Sequence, residues 1–308
     1  AKGGEITAMR RFYLENEYGQ RISMQKDNEN RTILQQDAPF LSAVSGFGVN
    51  EEREYEETKY GFFAATKEVF TQPQISGVFL FRPLEPYAKY RNVTDWMIAA
   101  EKLKLVYIPY GKTEYCMDVK IDTIEKSEIA QWGALEVPIK LSGMTPWYYR
   151  NPLNIIITKP TGAGMKRYSY RYTYAYSAMS RPGAIEIDPL DGHFPAELDF
   201  EIAGPLSAPL FTIENTQTKE VYGKLDLSAV TINAGEKLKY SSREIEAGVW
   251  RIIADGSSES LTDYVELSAG MQTYFQIPVG KPLTLTLSTQ SAIEAAAYVC
   301  IYRYFKTR

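Results

Sequence analysis

Short apolar alternations separated by turn residues run through most of the chain. Phe12 and Leu14, then Ile22 and Met24, flank Tyr18-Gly19-Gln20 and predict an opening hairpin. Residues 25–57 are polar and interrupted by Ser45-Gly46-Phe47-Gly48. Their acidic run, Glu51, Glu52, Glu54, Glu56 and Glu57, reads as a solvated face. Residues 75–82, ISGVFLFR, predict a buried strand. Pro86 suits a first helical position, where its missing N–H costs nothing. Tyr87, Tyr90, Val93 or Thr94, Met97 and Ile98 then recur at helical spacing, with Trp96 and Ala100 widening the stripe, and predict a helix over about 86–102. Residues 103–109 and 114–122 flank the turn Pro109-Tyr110-Gly111-Lys112 and predict a second hairpin over about 103–122, followed by a strand at 135–141.

Turn signals crowd residues 142–164: Ser142-Gly143, Pro146, Asn151-Pro152, Pro160 and Gly162-Ala163-Gly164. They place a domain boundary there, giving an N-terminal domain over 9–150 and a C-terminal domain over 151–308. Beyond the boundary, 166–177 alternates with period two, so that Tyr168, Tyr170, Tyr172, Tyr174 and Tyr176 share one strand face. That ladder is a candidate protein-contact face. Strand-like runs follow at 184–187, 197–203, 209–214, 220–227, 249–253, 262–267, 271–277, 282–287 and 295–304, separated by turns such as Asp191-Gly192 and Asp255-Gly256. Trp250 shares a face with Ile252 and is expected in the core. The fold class is therefore mainly β with one helix: an α+β N-terminal domain and a C-terminal β-sandwich.

A length of 308 residues suits two domains. The 34 basic and 38 acidic residues sum to −4, which argues against electrostatic binding to a nucleic-acid backbone, and no nucleic-acid partner is expected. No apolar run is long enough for a membrane span. Met9 reads as a natural start, and residues 1–8 stand outside the fold argument. The 23 tyrosines suit amphipathic strand faces and subunit contacts alike.

Chemistry is sparse. The single histidine, His193, lies in a turn, and Cys116 and Cys300 sit in apolar runs, as buried free thiols of a protein made in the cytoplasm would. There is no Gly-x-Ser-x-Gly elbow, phosphate loop or dinucleotide fingerprint. Three scattered Cys and His residues do not make a zinc site, and Asp188 with Asp191 lacks calcium-loop spacing. No catalytic residue, metal or cofactor is expected, and the chain is not expected to be an enzyme. A glycosidase needs only two carboxylates, for which Asp188 with Asp191 and Glu197 with Asp199 are the candidate pairs.

The order of several motifs resembles the distal tail proteins of long-tailed, siphovirus-type bacteriophages. The opening Arg10-Arg11-Phe12-Tyr13-Leu14-Glu15-Asn16-Glu17-Tyr18-Gly19-Gln20-Arg21-Ile22 carries the resemblance first. The strand at 75–82, the helix with Tyr87, Tyr90 and Trp96, then Trp132-Gly133-Ala134-Leu135 and Thr145-Pro146-Trp147-Tyr148 continue it. Phe194-Pro195-Ala196-Glu197-Leu198, Pro209-Leu210-Phe211-Thr212-Ile213 and Phe275-Gln276-Ile277-Pro278-Val279-Gly280 follow in the family's order. Lys281-Pro282 stands where many relatives have an asparagine, a departure that touches one turn.

The resemblance implies an N-terminal β-sandwich with a helix and a protruding hairpin, and a galectin-like C-terminal β-sandwich. It implies a homo-oligomeric, six-fold ring at the distal end of the virion tail. The ring would join the tail tube protein to the tail-associated or fibre protein and, in some phages, anchor receptor-binding proteins. Tyr107, Tyr110 and Tyr115 of the hairpin 103–122 are the candidate self-assembly contacts, with packing inside one subunit the alternative for each. The rival functional class is a carbohydrate-binding protein that recognises host-surface sugars.

Overall fold

The computed structural model describes residues 10–24, 37–49, 51–109, 113–157, 183–266, 274–290 and 295–307. The chain forms two compact units, one of residues 1–149 with 304–308 and one of residues 150–303.

The first unit opens with β1 (Arg11–Asn16) and β2 (Arg21–Ser23), antiparallel through Leu14 and Ile22. The Asn16 side chain makes the turn between them. Its Oδ1 accepts the N–H groups of Tyr18 at 3.2 Å and Gln20 at 2.9 Å, and Gly19 takes φ 74°. Next come β3 (Phe40–Ser45), β4 (Glu51–Glu57), β5 (Phe63–Phe70) and β6 (Gln74–Phe81). Helix α1 (Pro86–Ala99) precedes β7 (Leu103–Ile108), β8 (Tyr115–Ile124), β9 (Leu135–Gly143) and β10 (Trp147–Ile157). Hydrogen bonding orders the main sheet β2-β1-β7-β8-β9-β6-β3, with β10 meeting β8 at Tyr148 and Cys116.

Period-two alternation turns Phe12 and Leu14, Ile75, Phe79 and Phe81, and Val137 and Ile139 into one core. Helix α1 covers it with Val93 and Met97, and Tyr90 meets Phe81 edge-on at 6.0 Å. The helix ends three residues short of the expected 102. Ala100 is already extended, and β7 starts at Leu103 to pair along the whole of β1. Within 103–122, β7 and β8 pair antiparallel, and Leu105, Val106, Cys116 and Met117 are buried, while residues 110–112 lie outside the described residues. Strands β3 and β4 arise within the stretch whose polarity predicted no element.

The second unit contains β11 (Gly183–Ile187), β12 (Glu197–Ala203), β13 (Leu206–Ser207), β14 (Leu210–Asn215) and β15 (Val221–Asp226). They are followed by β16 (Thr231–Ile232), β17 (Lys237–Ser241), β18 (Gly248–Ile252), β19 (Ser258–Ser260), β20 (Leu283–Ser288) and β21 (Ala295–Phe305). One layer runs β19-β18-β17-β12-β21 and the other β11-β20-β14-β15. Phe200 of β12 stacks on Phe211 of β14 at 4.7 Å and on Tyr240 of β17 at 5.0 Å, so the two layers share a core. The Tyr240 hydroxyl, inside that core, accepts the Phe275 N–H at 3.0 Å.

Two expectations change in this unit. The strand expected from residue 262 does not start there: Thr262–Tyr264 make a 3-10 turn. Trp250 is not in the core. Strand β18 pairs with β17 so that Val249 lies opposite the buried Tyr240, and Trp250 lies opposite Lys239 on the outer face. The short run 248–252 carries apolar residues on both faces, and the β17 register decides which one is buried.

Candidate functional site

Strands β4 and β5 form a two-stranded hairpin that, among the described residues, belongs to no larger sheet. Nearly every residue of it is exposed. Its sequence explains why. Glu52, Glu54 and Glu56 fall on one face of β4, and Glu51, Arg53, Tyr55 and Glu57 on the other, so neither face is apolar enough to enter a core. The ladder is reinforced by charged cross-strand pairs, Lys67 with Glu54 and Arg53 with Glu68, both at 3.0 Å. Exposed pairs of this kind contribute little stability, and a two-stranded ribbon alone in water is marginal.

The tip is the opposite of a solvated turn. Thr58 N–H donates to Phe62 O at 2.6 Å, Gly61 N–H donates to Thr58 O at 2.9 Å, and Gly61 takes φ 75°. This tight loop presents Tyr60, Phe62 and Phe63, with Tyr55 on the adjoining strand, and all four rings are exposed. Large aromatic side chains left in water at the end of a projection mark an interaction surface.

The root, by contrast, is held firmly. Gly46 takes φ 97° and approaches so closely that a Cβ would lie 1.9 Å from the Gln74 carbonyl oxygen. Gly143 N–H donates to Pro73 O at 2.7 Å, which ties the far root to β9. The Glu51 carboxylate receives Lys306 Nζ on Oε1 and Arg53 Nη2 at 2.6 Å on Oε2. The Lys306 hydrogen bond, then that of Arg53, holds this carboxyl below its ordinary range.

The expected assembly residues sit elsewhere. Tyr107 is half-buried in an aromatic cluster, stacked on Phe12 at 5.0 Å and beside Phe47 and Trp147. Tyr115 lies against Tyr149 at 6.3 Å and edge-on to Phe305 at 5.9 Å. Tyr110 lies outside the described residues, as do Tyr168, Tyr170, Tyr172, Tyr174 and Tyr176. Sequence reasoning did not single out Tyr60, Phe62 and Phe63. The available signal was a set of aromatics around a glycine with no apolar partner at period two.

The residues with chemical potential are dispersed. Cys116 and Cys300 are buried thiols outside any disulfide, and His193 is exposed in its turn. Among the described residues, no cluster of His, Cys, Asp and Glu could hold a metal ion, and no helix is long and apolar enough to cross a membrane. Of the candidate carboxylates, Glu197 accepts the Glu244 N–H at 3.2 Å, and Asp199 accepts the Tyr302 hydroxyl at 2.9 Å. Burial raises the Asp199 carboxyl above its ordinary range. The Arg243 guanidinium lies over the Tyr302 ring, 4.6 Å from its centre.

Residues 11–144 match the family model described as the distal tail protein, N-terminal domain. The chain is similar in fold to a chain of the phage P2 baseplate in its activated conformation. The TM-score is 0.65 at 12% identity, over 97% of this chain and 100% of that one. It is also similar to the SPP1 Dit protein, described as a paradigm of the hub adsorption apparatus in phages infecting Gram-positive hosts. There the TM-score is 0.54 at 8% identity, over 94% of this chain and 98% of that one. No curated protein sequence matches the chain.

Proposed function

We propose an assembly role for a chain that is, by its N-terminal domain, a distal tail protein of a bacteriophage. It is a structural component of the tail hub, and copies of it close into a ring, six-fold by family resemblance, through the β4–β5 hairpin. The observation that carries this reading is the exposed aromatic tip on a hairpin that joins no other sheet among the described residues. Tyr107 and Tyr115 spend ring area on neighbours inside the unit, so the hairpin tip supplies more surface to a second copy. The ring joins the tail tube protein to the tail-associated or fibre protein. The C-terminal unit, galectin-like by resemblance, serves as a docking surface on which receptor-binding proteins anchor. Native mass spectrometry with negative-stain imaging tests the ring. A closed oligomer is expected, and a strictly monomeric chain at every accessible concentration refutes it.

A second reading, carbohydrate binding by the C-terminal unit, gains from Trp250. Its ring packs against Gly248, where a Cβ would lie 2.2 Å from it, and it remains partly exposed. Across the outer face the register sets Tyr298, Glu201, Lys239 and Trp250 in one row of two aromatic and two charged side chains. A glycan array decides this reading. Saturable binding that Trp250→Ala abolishes supports it, and no binding to host wall polysaccharides removes it.

A further inference from the structure

The β4–β5 hairpin has two roots, and they are held by different parts of the chain. The second root, residues 70–74, is bound to β9 through Gly143 N–H and Pro73 O, and through Gln72 Nε2 and Gly143 O at 3.2 Å. The first root runs from residue 46 to Glu51, and among the described residues 46–49 pair with no strand after Ser45, whose own partner is Ser76. It meets residues 305–307 instead. Phe305 is buried in the first unit's core, edge-on to Tyr115. Directly after it, Lys306 Nζ donates to Glu51 Oε1, and Thr307 Oγ1 donates to Phe47 O at 2.5 Å. Two successive side chains thus grip the root at both ends, four residues apart. The side chains of Glu51 and Lys306 are 9% and 33% exposed, so this ion pair meets less solvent than the Lys67–Glu54 pair farther along the ribbon.

We propose that Lys306 and Thr307 are positioning residues for the hairpin. They fix its first root against the core and so set the direction in which the aromatic tip projects. The physical need follows from geometry. A ribbon of 20 residues, Glu51–Phe70, amplifies any rotation at its root into a displacement at its tip, and its own ladder does not constrain that rotation. That the direction matters for ring closure rests on the assembly reading above.

Hydrogen–deuterium exchange on the full-length chain, carried out at a dilution where it is monomeric, tests the clamp. Native mass spectrometry at higher concentration reads its consequence. The variant is Lys306→Met with Thr307→Val, which keeps the side-chain bulk and removes both hydrogen bonds. Exchange across residues 47–57 should rise about tenfold, the loss expected from one or two hydrogen bonds. Exchange in β6 and β9 should not change, which shows that the unit still folds, and the ring fraction should fall. Lys306→Arg with Thr307→Ser should restore parental exchange and assembly. Unchanged exchange at 47–57 overturns the proposal, as does a ring fraction that is unaffected when exchange rises. A parent chain that never oligomerises, with exchange rising as expected, overturns the assembly reading and leaves the clamp supported.

Discussion

Replacing Phe62 and Phe63 with serine separates contacts within a subunit from contacts between subunits. Both rings are 72% exposed, so with a phenylalanine surface of about 200 Å² each leaves about 140 Å² in water. Full burial of both against a neighbour would remove about 280 Å², worth about 7 kcal/mol at 25 cal/mol per Å² as an upper bound. Immobilising the tip and incomplete burial reduce that sum, and truncating a central aromatic typically costs about 2–4 kcal/mol. The double variant should therefore weaken each contact by about 30- to 1000-fold. Sedimentation velocity over a concentration series should show the ring dissociating into subunits. Differential scanning calorimetry of the dissociated chain should give the parental midpoint, because neither ring is buried within its own subunit. A ring that persists in the variant refutes the assignment of the hairpin. A midpoint lowered by several degrees shows that the rings support the subunit itself and refutes the same reasoning by another route.

Tyr240→Phe leaves the buried Phe275 N–H without its acceptor and should destabilise the second unit by about 1–3 kcal/mol, measured from urea midpoints. Parental stability would show that another acceptor takes its place. Gly46→Ala combines a left-handed backbone with a Cβ 1.9 Å from a carbonyl oxygen, and backbone cannot yield as a side-chain end can. It should cost more than about 1 kcal/mol in a thermal melt of the first unit, where a neutral outcome would contradict the tight root. Asp199 titrates above its ordinary 3.8 in the folded chain because burial penalises its charge. The folded state therefore holds that proton more tightly, and this group's contribution to stability falls as pH rises from about 4 through the raised folded value. Asp199→Asn should remove that slope from the pH dependence of the urea midpoint, and an unchanged slope assigns it to other groups.

Local pattern was enough for the elements whose signals lie within a few residues. The first hairpin forms where Asn16 and Gly19 can turn the chain, helix α1 starts at Pro86, and β6 forms where ISGVFLFR predicts a strand. The family resemblance was also legible, since the collinear motifs over 10–22, 75–98 and 132–148 lie in or beside the domain found at 11–144. What sequence did not contain was the outcome of pairing between distant strands. Trp250 and Val249 are both credible core residues, and only the register against Tyr240 sends one inward and the other to the surface. Tyr107 and Tyr115 read equally as contact residues until Phe12, Phe47 and Phe305, from three separate segments, close around them. Glu52, Glu54, Glu56 and Glu57 of the acidic run are solvated as expected, while Glu51 is turned against Lys306, and the run forms a strand because residues 63–70 supply a ladder for it. Backbone hydrogen bonding needs no apolar pattern, so polarity alone concealed the hairpin. Burial is a property of what lies opposite, and for Phe62 and Phe63 no described element of their own subunit lies there to bury them.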